Sequence, residues 1–339
     1  MAQTVLVTGG AGYVGSHVCL ALARAGYAPI TIDDLSDGHR KAVQFGPLEE
    51  LDIRHREIAT VIARYRPSAV IHAAAKSEVV ASFRDPTLYY QVNVLGTLNL
   101  IRACRVAEVP HFVMISSAAV YGQVSQPFIA EANPTQPINP YGMTKLSGEM
   151  ILADPSEYRG SWAALRLFNV AGAAAAAGLG EDHKNESHLI PLTLRAAYRN
   201  VGPLSIFGTT HPTFDGSAVR DYVHVMDVAD AVLLTLSYLR EGGTSRAFNI
   251  GSGVGISVLQ VVEAVERATG YKVPIRVVNP REGDAAALVA DISQAQQSLG
   301  FRPASSFLDT IVADAKAWEL RQSEIVVAQG EQTQPLATA

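Results

Sequence analysis

The sequence predicts an α/β protein in which helices cover both faces of a doubly wound parallel sheet, with a smaller mixed α/β lobe beside it. Short apolar segments alternate with segments of helical periodicity from residue 4 to residue 168. A glycine-rich stretch directly follows the first apolar segment, and the regular alternation ends after the last one. Strands that alternate with helices pair in parallel, because each crossover returns the chain to the same end of the sheet.

The individual elements follow from hydrophobic periodicity and from the residues that interrupt it. Val5–Thr8 is a short apolar strand, and Tyr13–Ala25 has helical spacing that stops at Gly26. The further elements predicted for this part are strands at Pro29–Ile32, Ala69–Ala73, Phe112–Ser116 and Trp162–Phe168, and helices at Ile58–Tyr65, Pro86–Val106 and Pro140–Leu152.

The pattern changes after the last of these strands, where short strands, helices and turns mix. We therefore predict a first domain over residues 1–170 and a second lobe over 171–320. A helix at Asp227–Leu239 is expected to pack back on the first sheet, so that elements near 219–250 interleave the two parts. Residues 321–339 are mostly polar, which favours a mobile or loosely docked tail.

Composition excludes several classes of protein. A hydrophobic fraction of 48% with 17% charged residues argues against disorder, and a net charge of -5 gives no basis for binding nucleic acid. The strand pattern begins at Thr4 without a secretory leader before it, and no uncharged apolar run approaches the ~18 residues of a membrane span. Cys19 and Cys104 lie in apolar helical stretches typical of buried free thiols. We expect a cytoplasmic protein.

The glycine-rich stretch predicts a site for a dinucleotide. Gly9, Gly12 and Gly15 recur at intervals of three between the first strand and the first helix. Glycines there let the backbone turn tightly and approach a pyrophosphate, which faces helix amides of partial positive charge. An ordinary turn is the alternative, but the flanking strand and helix favour a Rossmann-type site that includes Tyr13 and Val14.

Asp33 indicates which dinucleotide binds. It stands at the end of the second predicted strand, 18 residues after Gly15. A carboxylate at that place accepts hydrogen bonds from the ribose hydroxyls of NAD and repels the additional phosphate of NADP. The sequence therefore favours NAD, with a loop-capping role for Asp33 as the alternative.

Three residues suggest redox chemistry next to that site. Ser117 follows a buried strand, and Tyr141 and Lys145 stand four residues apart, on one face of a predicted helix. Lowering the pKa of a phenol from about 10 to near 7 requires roughly 4 kcal/mol, which an ammonium about 4 Å away supplies at an effective dielectric of about 20. Lys145, helped by an oxidised nicotinamide, is expected to keep Tyr141 partly ionised while Ser117 hydrogen-bonds the reacting oxygen. A surface Tyr–Lys pair is the alternative.

Several motifs together resemble one enzyme family. The glycine spacing is similar to that of the extended branch of the short-chain dehydrogenase/reductase superfamily. The stretches that resemble the UDP-glucose (UDP-galactose) 4-epimerase family are Gly9–His17 (GGAGYVGSH), Tyr141–Lys145 (YGMTK), Leu165–Asn169 (LRLFN), Ile206–Gly208 (IFG), Pro212–Gly216 (PTFDG), Val219–Val225 (VRDYVHV) and Arg281–Asp284 (REGD). The resemblance runs from about residue 4 to residue 320.

The resemblance implies further site residues and a substrate. On the cofactor side it implies Asp52, Ile53 and Asn93, the last with helix capping or packing as an alternative. For a UDP-sugar it implies Asn169, Arg220 and Arg281 at the diphosphate, Leu189 and the Ser205–Phe207 backbone at the uracil, and Asp284 at the uridine ribose. Planar guanidinium groups match phosphate oxygens. Arg220 with Asp221, and Arg281 with its acidic neighbours, are alternatively structural ion pairs.

Three positions depart from the family pattern. Leu167 replaces the usual Tyr before the Phe–Asn pair, which removes a hydroxyl near the sugar pocket. His188 stands where many relatives have Asn, and its interaction with phosphate would vary with pH. Leu288 occupies the position whose bulk in the family decides whether an N-acetyl group fits, and a Leu leaves that question open.

The resemblance implies inversion of carbon 4 of a UDP-hexose through a 4-keto sugar, with NAD retained, in a homodimer formed through the helices at Pro86–Val106 and Pro140–Leu152. A UDP-N-acetylhexosamine 4-epimerase, or an enzyme of dual specificity, is the nearest alternative. A UDP-sugar oxidoreductase and a nucleotide-sensing binding protein are more distant ones. We expect no metal, because the nine histidines show no ligand-like spacing with cysteines or carboxylates.

Overall fold

The computed structural model describes residues 2–124, 126, 128–199, 202–280 and 285–332. The strands are β1 (Thr4–Thr8), β2 (Ala28–Asp33), β3 (Leu48–Glu50), β4 (Ala69–His72), β5 (His111–Ser117), β6 (Phe128–Ile129), β7 (Ser161–Leu167), β8 (Asn169–Ala171), β9 (Leu204–Phe207), β10 (Val219–His224), β11 (Arg246–Ile250), β12 (Gly255–Ser257), β13 (Ile275–Val278) and β14 (Ala287–Ala290). The helices are α1 (Tyr13–Arg24), α2 (Ile58–Tyr65), α3 (Val79–Arg84), α4 (Pro86–Tyr89), α5 (Thr97–Val106), α6 (Pro140–Ala153), α7 (Leu189–Arg199), α8 (Val225–Arg240), α9 (Val258–Thr269), α10 (Ser293–Leu299) and α11 (Leu308–Gln332). None of the helices in the described part of the chain is long and apolar enough to cross a membrane.

The predicted doubly wound parallel sheet is confirmed. Seven strands pair in parallel in the order β3-β2-β1-β4-β5-β7-β11. The chain builds outward from β1 in both directions, so the loops after β1 and β4 diverge at the carboxyl edge of the sheet. In sheets of this topology, ligands bind in the crevice that forms at this reversal.

Both faces of the main sheet are buried, and successive side chains of each strand point to opposite faces. Val5 and Val7 face a core formed with α1, α8 and α10, whereas Leu6, between them, faces a second core formed with α2 and α5. The helix predicted at Asp227–Leu239 is confirmed as α8, which packs against α1, β5 and β7. Strand β11 also joins the main sheet beside β7, so the chain returns to the first lobe after residue 219.

The second lobe has its own hydrophobic core. Helices α7, α9 and α11 pack together over β9 and β10. β10 pairs with β8, β12 and β14 in a mixed sheet, and β9 pairs with β13. Because β10 continues directly into α8, the second lobe is covalently and physically joined to the first. The domain boundary at residue 170 stays a prediction.

Two predictions about helices need correction. The helix predicted at Pro86–Val106 is interrupted by a π-helical turn at Tyr90–Gly96, where the Thr97 hydroxyl donates to the Asn93 carbonyl at 2.6 Å. The segment predicted as a tail is helical as far as Gln332, because α11 contains good helix formers and no proline, whereas its loose docking stays a prediction. Residues 333–339 lie outside the described residues.

Candidate active site

The first-lobe residues predicted from the sequence converge at the carboxyl edge of the main sheet. Gly9 follows β1, Asp33 ends β2, Ala73 follows β4 and Ser117 ends β5. These strands are neighbours on either side of the chain reversal. The edge therefore brings the predicted dinucleotide loop and the predicted redox residues to one crevice.

The glycine-rich loop leaves no room for a side chain at two of its three evenly spaced glycines. Gly9 has a positive φ of 73°, and a Cβ there would lie 2.5 Å from the backbone nitrogen of Ala74. A Cβ on Gly15 would lie 2.1 Å from the Gly9 carbonyl oxygen, because α1 begins directly against β1. At Gly12 the nearest atom would be 3.3 Å away. The loop is thus a tight backbone cradle at the start of α1.

Asp33 holds this cradle in place. Its Oδ2 accepts the N–H of Ala11 at 3.0 Å, and its Oδ1 accepts the N–H of Leu35 at 2.9 Å. Burial raises the pKa of Asp33, and these two hydrogen bonds oppose that rise. The loop-capping role is therefore present. A carboxylate has about four acceptor positions, so capacity remains for ribose hydroxyls as well.

Ser117, Tyr141 and Lys145 meet at the end of β5. Asn139 caps α6 by accepting the Gly142 N–H at 2.7 Å, and this helix carries Tyr141 in its first turn. The Ser117 hydroxyl accepts the N–H of Ala119 at 3.2 Å and lies near enough to Tyr141 to lower the pKa of its phenol. The Lys145 ammonium lies 5.9 Å from the centroid of the Tyr141 ring. The alternative of an exposed Tyr–Lys pair is wrong, since both side chains are buried.

The electrostatics of this triad differ from the expectation in one respect. Burial raises the pKa of Tyr141 above its ordinary value, and the nearby Ser117 hydroxyl opposes this only in part. Burial also lowers the pKa of Lys145 to about 8, against the opposing effect of Glu149. The ammonium donates to the Ile115 carbonyl at 2.8 Å. In the protein alone the neutral phenol is the stable form, and a further positive charge is needed to ionise it.

The sequence analysis missed a buried ionic network beneath the triad. Glu149 is one helical turn beyond Lys145 on α6, and its carboxylate pairs with Arg166 at 2.7 Å. Arg166 also donates to the Tyr121 hydroxyl at 2.9 Å, and that hydroxyl donates to Asn249 at 2.7 Å. The four-residue spacing from Tyr141 through Lys145 to Glu149 is the sequence signal that could have revealed this network.

The predicted cofactor residue Asn93 is fully engaged within the protein. Its Oδ1 accepts the Lys76 N–H at 2.8 Å, and its Nδ2 donates to the Lys76 carbonyl at 2.9 Å and to Thr144 at 3.0 Å. These bonds attach the loop after β4 to α6, next to Tyr141. They match the packing role that the sequence left open, and contact with a cofactor stays a prediction.

The other predicted cofactor residues lie around the cradle. Asp52 accepts from Arg54, whose guanidinium lowers the pKa of that carboxyl although burial opposes it. Ile53 is buried against Gly96. The Tyr13 hydroxyl donates to the Gly172 carbonyl at 2.7 Å, so it ties the cradle to the second lobe. Val14 packs partly against the main core.

On the nucleotide side, Arg220 and Asp221 have separate roles. Arg220 donates to the carbonyls of Val219 at 2.8 Å and Ala285 at 2.9 Å. Asp221 is buried and accepts from three backbone N–H groups, those of Ser252, Gly253 and Ala290. Successive residues of a strand point to opposite faces. The hydrogen bonds of Asp221 thus argue against a structural Arg220–Asp221 ion pair.

Leu288 packs on an apolar cluster that includes residues following Ser117 in sequence. It is in register with Arg220 on the neighbouring strand. It packs against a buried cluster that contains Val120 and Phe168, which are three residues after Ser117 and one before Asn169. Leu167, by contrast, is buried in the core of the main sheet. Its side chain fills the core at the end of β7, and this explains an apolar residue there.

The remaining predicted substrate residues are spread over the second lobe. Asn169 is the exposed first residue of β8, and Leu189 begins α7. Ser205 and Phe207 lie in β9, where the Phe207 ring is partly exposed. Arg281 and Asp284 lie outside the described residues.

His188 belongs to a group that the sequence analysis did not find. Glu181, His183, Glu186 and His188, called the His–Glu cluster below, place one potential ligand atom each within 4.8 Å of one another. The expectation that the histidines share no ligand-like spacing with carboxylates overlooked this stretch. In the protein alone, the Glu181 and Glu186 carboxylates raise the pKa of His183 to about 9.

A match to a protein family includes the crevice and the glycine cradle. The model of the NAD dependent epimerase/dehydratase family matches residues 5–251. That span includes the glycine-rich loop, the Ser–Tyr–Lys triad and the β10–α8 connection.

Individual relatives match almost the whole chain. A UDP-glucose 4-epimerase of Rhizobium leguminosarum bv. trifolii is 42% identical over 325 residues, which is 95% of this chain and 99% of the relative. The structure of UDP-glucose 4-epimerase from Brucella ovis in complex with NAD has a TM-score of 0.90 at 43% identity and covers 93% of this chain and 98% of its own. A UDP-glucose-4-epimerase from Stenotrophomonas maltophila, with bound NAD and formylated UDP-arabinopyranose, has a TM-score of 0.92 at 37% identity, covering 95% and 99%.

Proposed function

This chain belongs to the NAD dependent epimerase/dehydratase family, and we propose that within it the chain interconverts UDP-glucose and UDP-galactose by inverting carbon 4 of the hexose. One observation carries the proposal above the others. Buried Tyr141 and Lys145, with half-buried Ser117, lie at the same sheet edge as the glycine cradle, in a chain that aligns over 95% of its length with a UDP-glucose 4-epimerase.

The cradle fits NAD. Side chains are excluded at Gly9 and Gly15, as close approach of a pyrophosphate to backbone requires. Asp33 stands at the end of β2 with acceptor capacity for a ribose, and its carboxylate disfavours the extra phosphate of NADP. When bound there, NAD supplies a reversible hydride acceptor and a positive charge beside the triad.

Tyr141 is the acid–base group in this proposal. Its phenol, next to Ser117, takes the proton of the 4-hydroxyl as the sugar is oxidised and returns it when the 4-keto sugar is reduced. Ser117 orients the reacting oxygen. Lys145 contributes a cation whose position the Ile115 carbonyl holds. Since each pKa unit corresponds to about 1.4 kcal/mol, the raised pKa of Tyr141 must be offset by both this ammonium and the cofactor's charge.

Inversion requires that the nucleotide stay bound while the hexose turns. In the proposal Arg220, held by the Val219 and Ala285 carbonyls, binds the diphosphate together with Asn169. The Ser205–Phe207 strand and Leu189 bind the uracil. The apolar groups around Leu288 hold the sugar without directional hydrogen bonds, which lets its opposite face approach the same redox centre.

N-acetylated UDP-hexoses are the second candidate substrates. The residue that favours them is Leu288. A Leu occupies less volume than a Tyr at a position that packs against Phe168 and Val120. The volume that a Leu leaves in the proposed sugar pocket decides whether an acetamido group fits.

Purification without added nucleotide tests the proposal. The released small molecules are quantified after denaturation, and the native protein is assayed for conversion of UDP-galactose to UDP-glucose without added NAD. We expect about one NAD per chain and sustained turnover. A requirement for stoichiometric reduction of added NAD would favour a UDP-sugar oxidoreductase and contradict the proposal. Bound UDP-sugar without turnover would favour a sensing protein.

We propose a homodimer that pairs through α5, α6 and the π-helical turn. The faces of these helices expose large apolar side chains, with Val106 78%, Met150 67% and Leu95 54% exposed. Apolar surface of this kind marks protein interfaces. Light scattering should give twice the chain mass for the wild type and one chain mass for Met150→Glu with Leu95→Glu, whereas Phe307→Glu, at an exposed site on another surface, should leave the mass unchanged. A monomeric wild type would contradict this.

The predicted cytoplasmic location stays a prediction. The buried, unpaired thiols of Cys19 and Cys104 are typical of proteins in a reducing compartment.

A further inference from the structure

The His–Glu cluster lies where the two lobes meet. Its segment contacts the first lobe through Lys184, which donates to the Ser36 carbonyl at 2.9 Å, and through the Tyr13 ring, which packs edge-to-face on His183. On the other side, Trp318 of α11 donates to the Glu181 carbonyl at 2.7 Å. The segment then leads directly into α7.

The potential ligand atoms are spaced as around a small cation. His183 Nδ1 lies 3.3 Å from Glu181 Oε1 and 3.6 Å from Glu186 Oε2. His188 Nδ1 lies 3.1 Å from Glu186 Oε1 and 2.6 Å from Glu181 Oε1. Tetrahedral zinc, with bonds of about 2.0–2.2 Å, separates its ligands by roughly 3.3–3.6 Å. The two distances from His183 Nδ1 match that spacing. The two from His188 Nδ1 are shorter, and all four ligand atoms lie within 4.8 Å of one another.

Three polar atoms of the cluster, Glu181 Oε1, His183 Nδ1 and Glu186 Oε2, are buried and make no hydrogen bond of normal geometry, although Glu181 Oε1 lies 2.6 Å from His188 Nδ1. The side chains of Glu181 and Glu186 are only 5% and 2% exposed. Buried carboxylate oxygens are normally hydrogen-bonded, ion-paired or bound to metal. These three atoms lie close to one another, within the 4.8 Å that spans the cluster, and one cation there binds them together.

Two imidazolium–carboxylate ion pairs are the competing arrangement. It leaves the Nδ1 of His183 at 3.3 and 3.6 Å from its two acceptors, which is longer than a normal N–H···O bond. It also directs the single Nδ1 proton of His188 at two carboxylates. Two neutral imidazoles and two carboxylates around a divalent cation give the same net charge and use every convergent atom.

We propose that the His–Glu cluster binds a single divalent transition-metal ion, with zinc the best match to two nitrogen and two oxygen ligands. Four protein ligands close the coordination sphere, so the ion is structural. It attaches α7 and α11 to the Tyr13 side of the glycine cradle. His188 binds through Nδ1, which leaves its Nε2–H available to donate to a phosphate. The site does not depend on the proposed epimerase activity.

Cobalt titration of the metal-free, untagged protein tests this site. We expect one Co²⁺ per chain with the strong visible absorption of tetrahedral cobalt, displaced by one equivalent of Zn²⁺. Glu181→Gln and His183→Ala should each weaken binding by more than about 100-fold, beyond the 10- to 100-fold that an outer-shell change costs. His55→Ala is the matched control, because His55 is an exposed histidine 3.4 Å from Glu57 and should leave binding unchanged.

Wild-type protein alone can overturn the proposal, whether or not the variants fold. A wild type that gives no visible band and no stoichiometric binding at micromolar cobalt contradicts it. Equal binding by the wild type, Glu181→Gln and His183→Ala contradicts it too. A melting temperature that rises with zinc and returns to its starting value with a chelator supports it, because an ion that binds only the folded state stabilises that state.

Discussion

The two lobes place their functional residues by different means. In the first lobe, Gly9, Asp33 and Ser117 stand at the ends of parallel strands, and Tyr141 and Lys145 follow the repeat of one helix. In the second lobe, Asn169, His188 and Phe207 lie at an edge strand, in a loop segment and in a two-stranded sheet. Regular elements fix the proposed redox centre, whereas packing between distant segments fixes the proposed nucleotide site.

This difference indicates which substitutions should be severe and which should be graded. Asp33, Tyr141 and Lys145 are buried, and the side chains of Asp33 and Lys145 are bonded to backbone, so these positions tolerate little change. Leu288 is half-buried and packs on a small apolar cluster. We expect first-lobe changes to abolish turnover or cofactor retention and second-lobe changes to redirect specificity.

The largest expected effect is that of Tyr141→Phe. Removing the acid–base group should lower kcat by about 10³-fold, within the 10²- to 10⁴-fold typical of such groups. UDP affinity, measured by calorimetry, should stay within about twofold. Tyr65→Phe removes a surface phenol that donates to Glu49 and serves as the matched control. Full activity of Tyr141→Phe would show that Tyr141 is not the acid–base group.

A second prediction ranks glycines that look equivalent in the sequence. Gly15→Ala should reduce retained NAD by roughly 10- to 100-fold, which corresponds to the 1–3 kcal/mol of overpacking strain, because its Cβ would lie 2.1 Å from the Gly9 carbonyl. Gly12→Ala, with 3.3 Å to the same oxygen, should retain most of the cofactor. The measurement is NAD released per folded chain. Equal losses in the two variants would show that the cradle is not as tight as described.

Leu288 sharpens the comparison on the second lobe. Leu288→Tyr should lower kcat/KM for UDP-N-acetylgalactosamine by about 10-fold and change that for UDP-galactose by less than threefold, since one pocket group alters binding by about 1–3 kcal/mol. Leu288→Ala should shift the ratio the other way. If neither variant changes the ratio of the two kcat/KM values, Leu288 does not line the sugar pocket.

The smallest effect concerns stability and pH. Burial lowers the pKa of Lys145 to about 8, so the folded state disfavours its charge. Between pH 8 and the ordinary pKa of 10.5, the unfolded chain binds more protons, and the wild type should gain stability as pH rises. Lys145→Met should therefore be more stable than the wild type by about 1–2 kcal/mol at pH 7, with the advantage vanishing near pH 10.5. Denaturant titrations at both pH values check this, and a constant difference would contradict it.

The sequence predicted the first lobe well because its signals are local. The glycine spacing, the apolar alternation and the Tyr–Lys interval each lie within a single turn or helix. The π-helical turn at Tyr90–Gly96 could not be predicted in this way, since it depends on Asn93 bonding Lys76, 17 residues away. The Glu149–Arg166 pair joins a helix to a strand and has only a weak local signal.

The second lobe was harder because its contacts join segments that are remote in sequence. Asp221 is satisfied by N–H groups about 30 to 70 residues further along, so the neighbouring Arg220 could be mistaken for its partner. The His–Glu cluster is short in sequence, yet its meaning depends on burial by α11 and the glycine loop. Burial of that kind is a property of the assembled fold.

The most direct test of the proposed mechanism, in which carbon 4 is oxidised and then reduced within one site that retains NAD, is the fate of deuterium at carbon 4. The enzyme is given UDP-[4-²H]galactose in ordinary water, and the UDP-glucose formed is analysed by mass spectrometry and NMR. The account predicts that deuterium is retained at carbon 4, because it leaves and returns without contact with solvent. Loss of the label to water would show that carbon 4 is inverted by proton exchange, and would contradict the account.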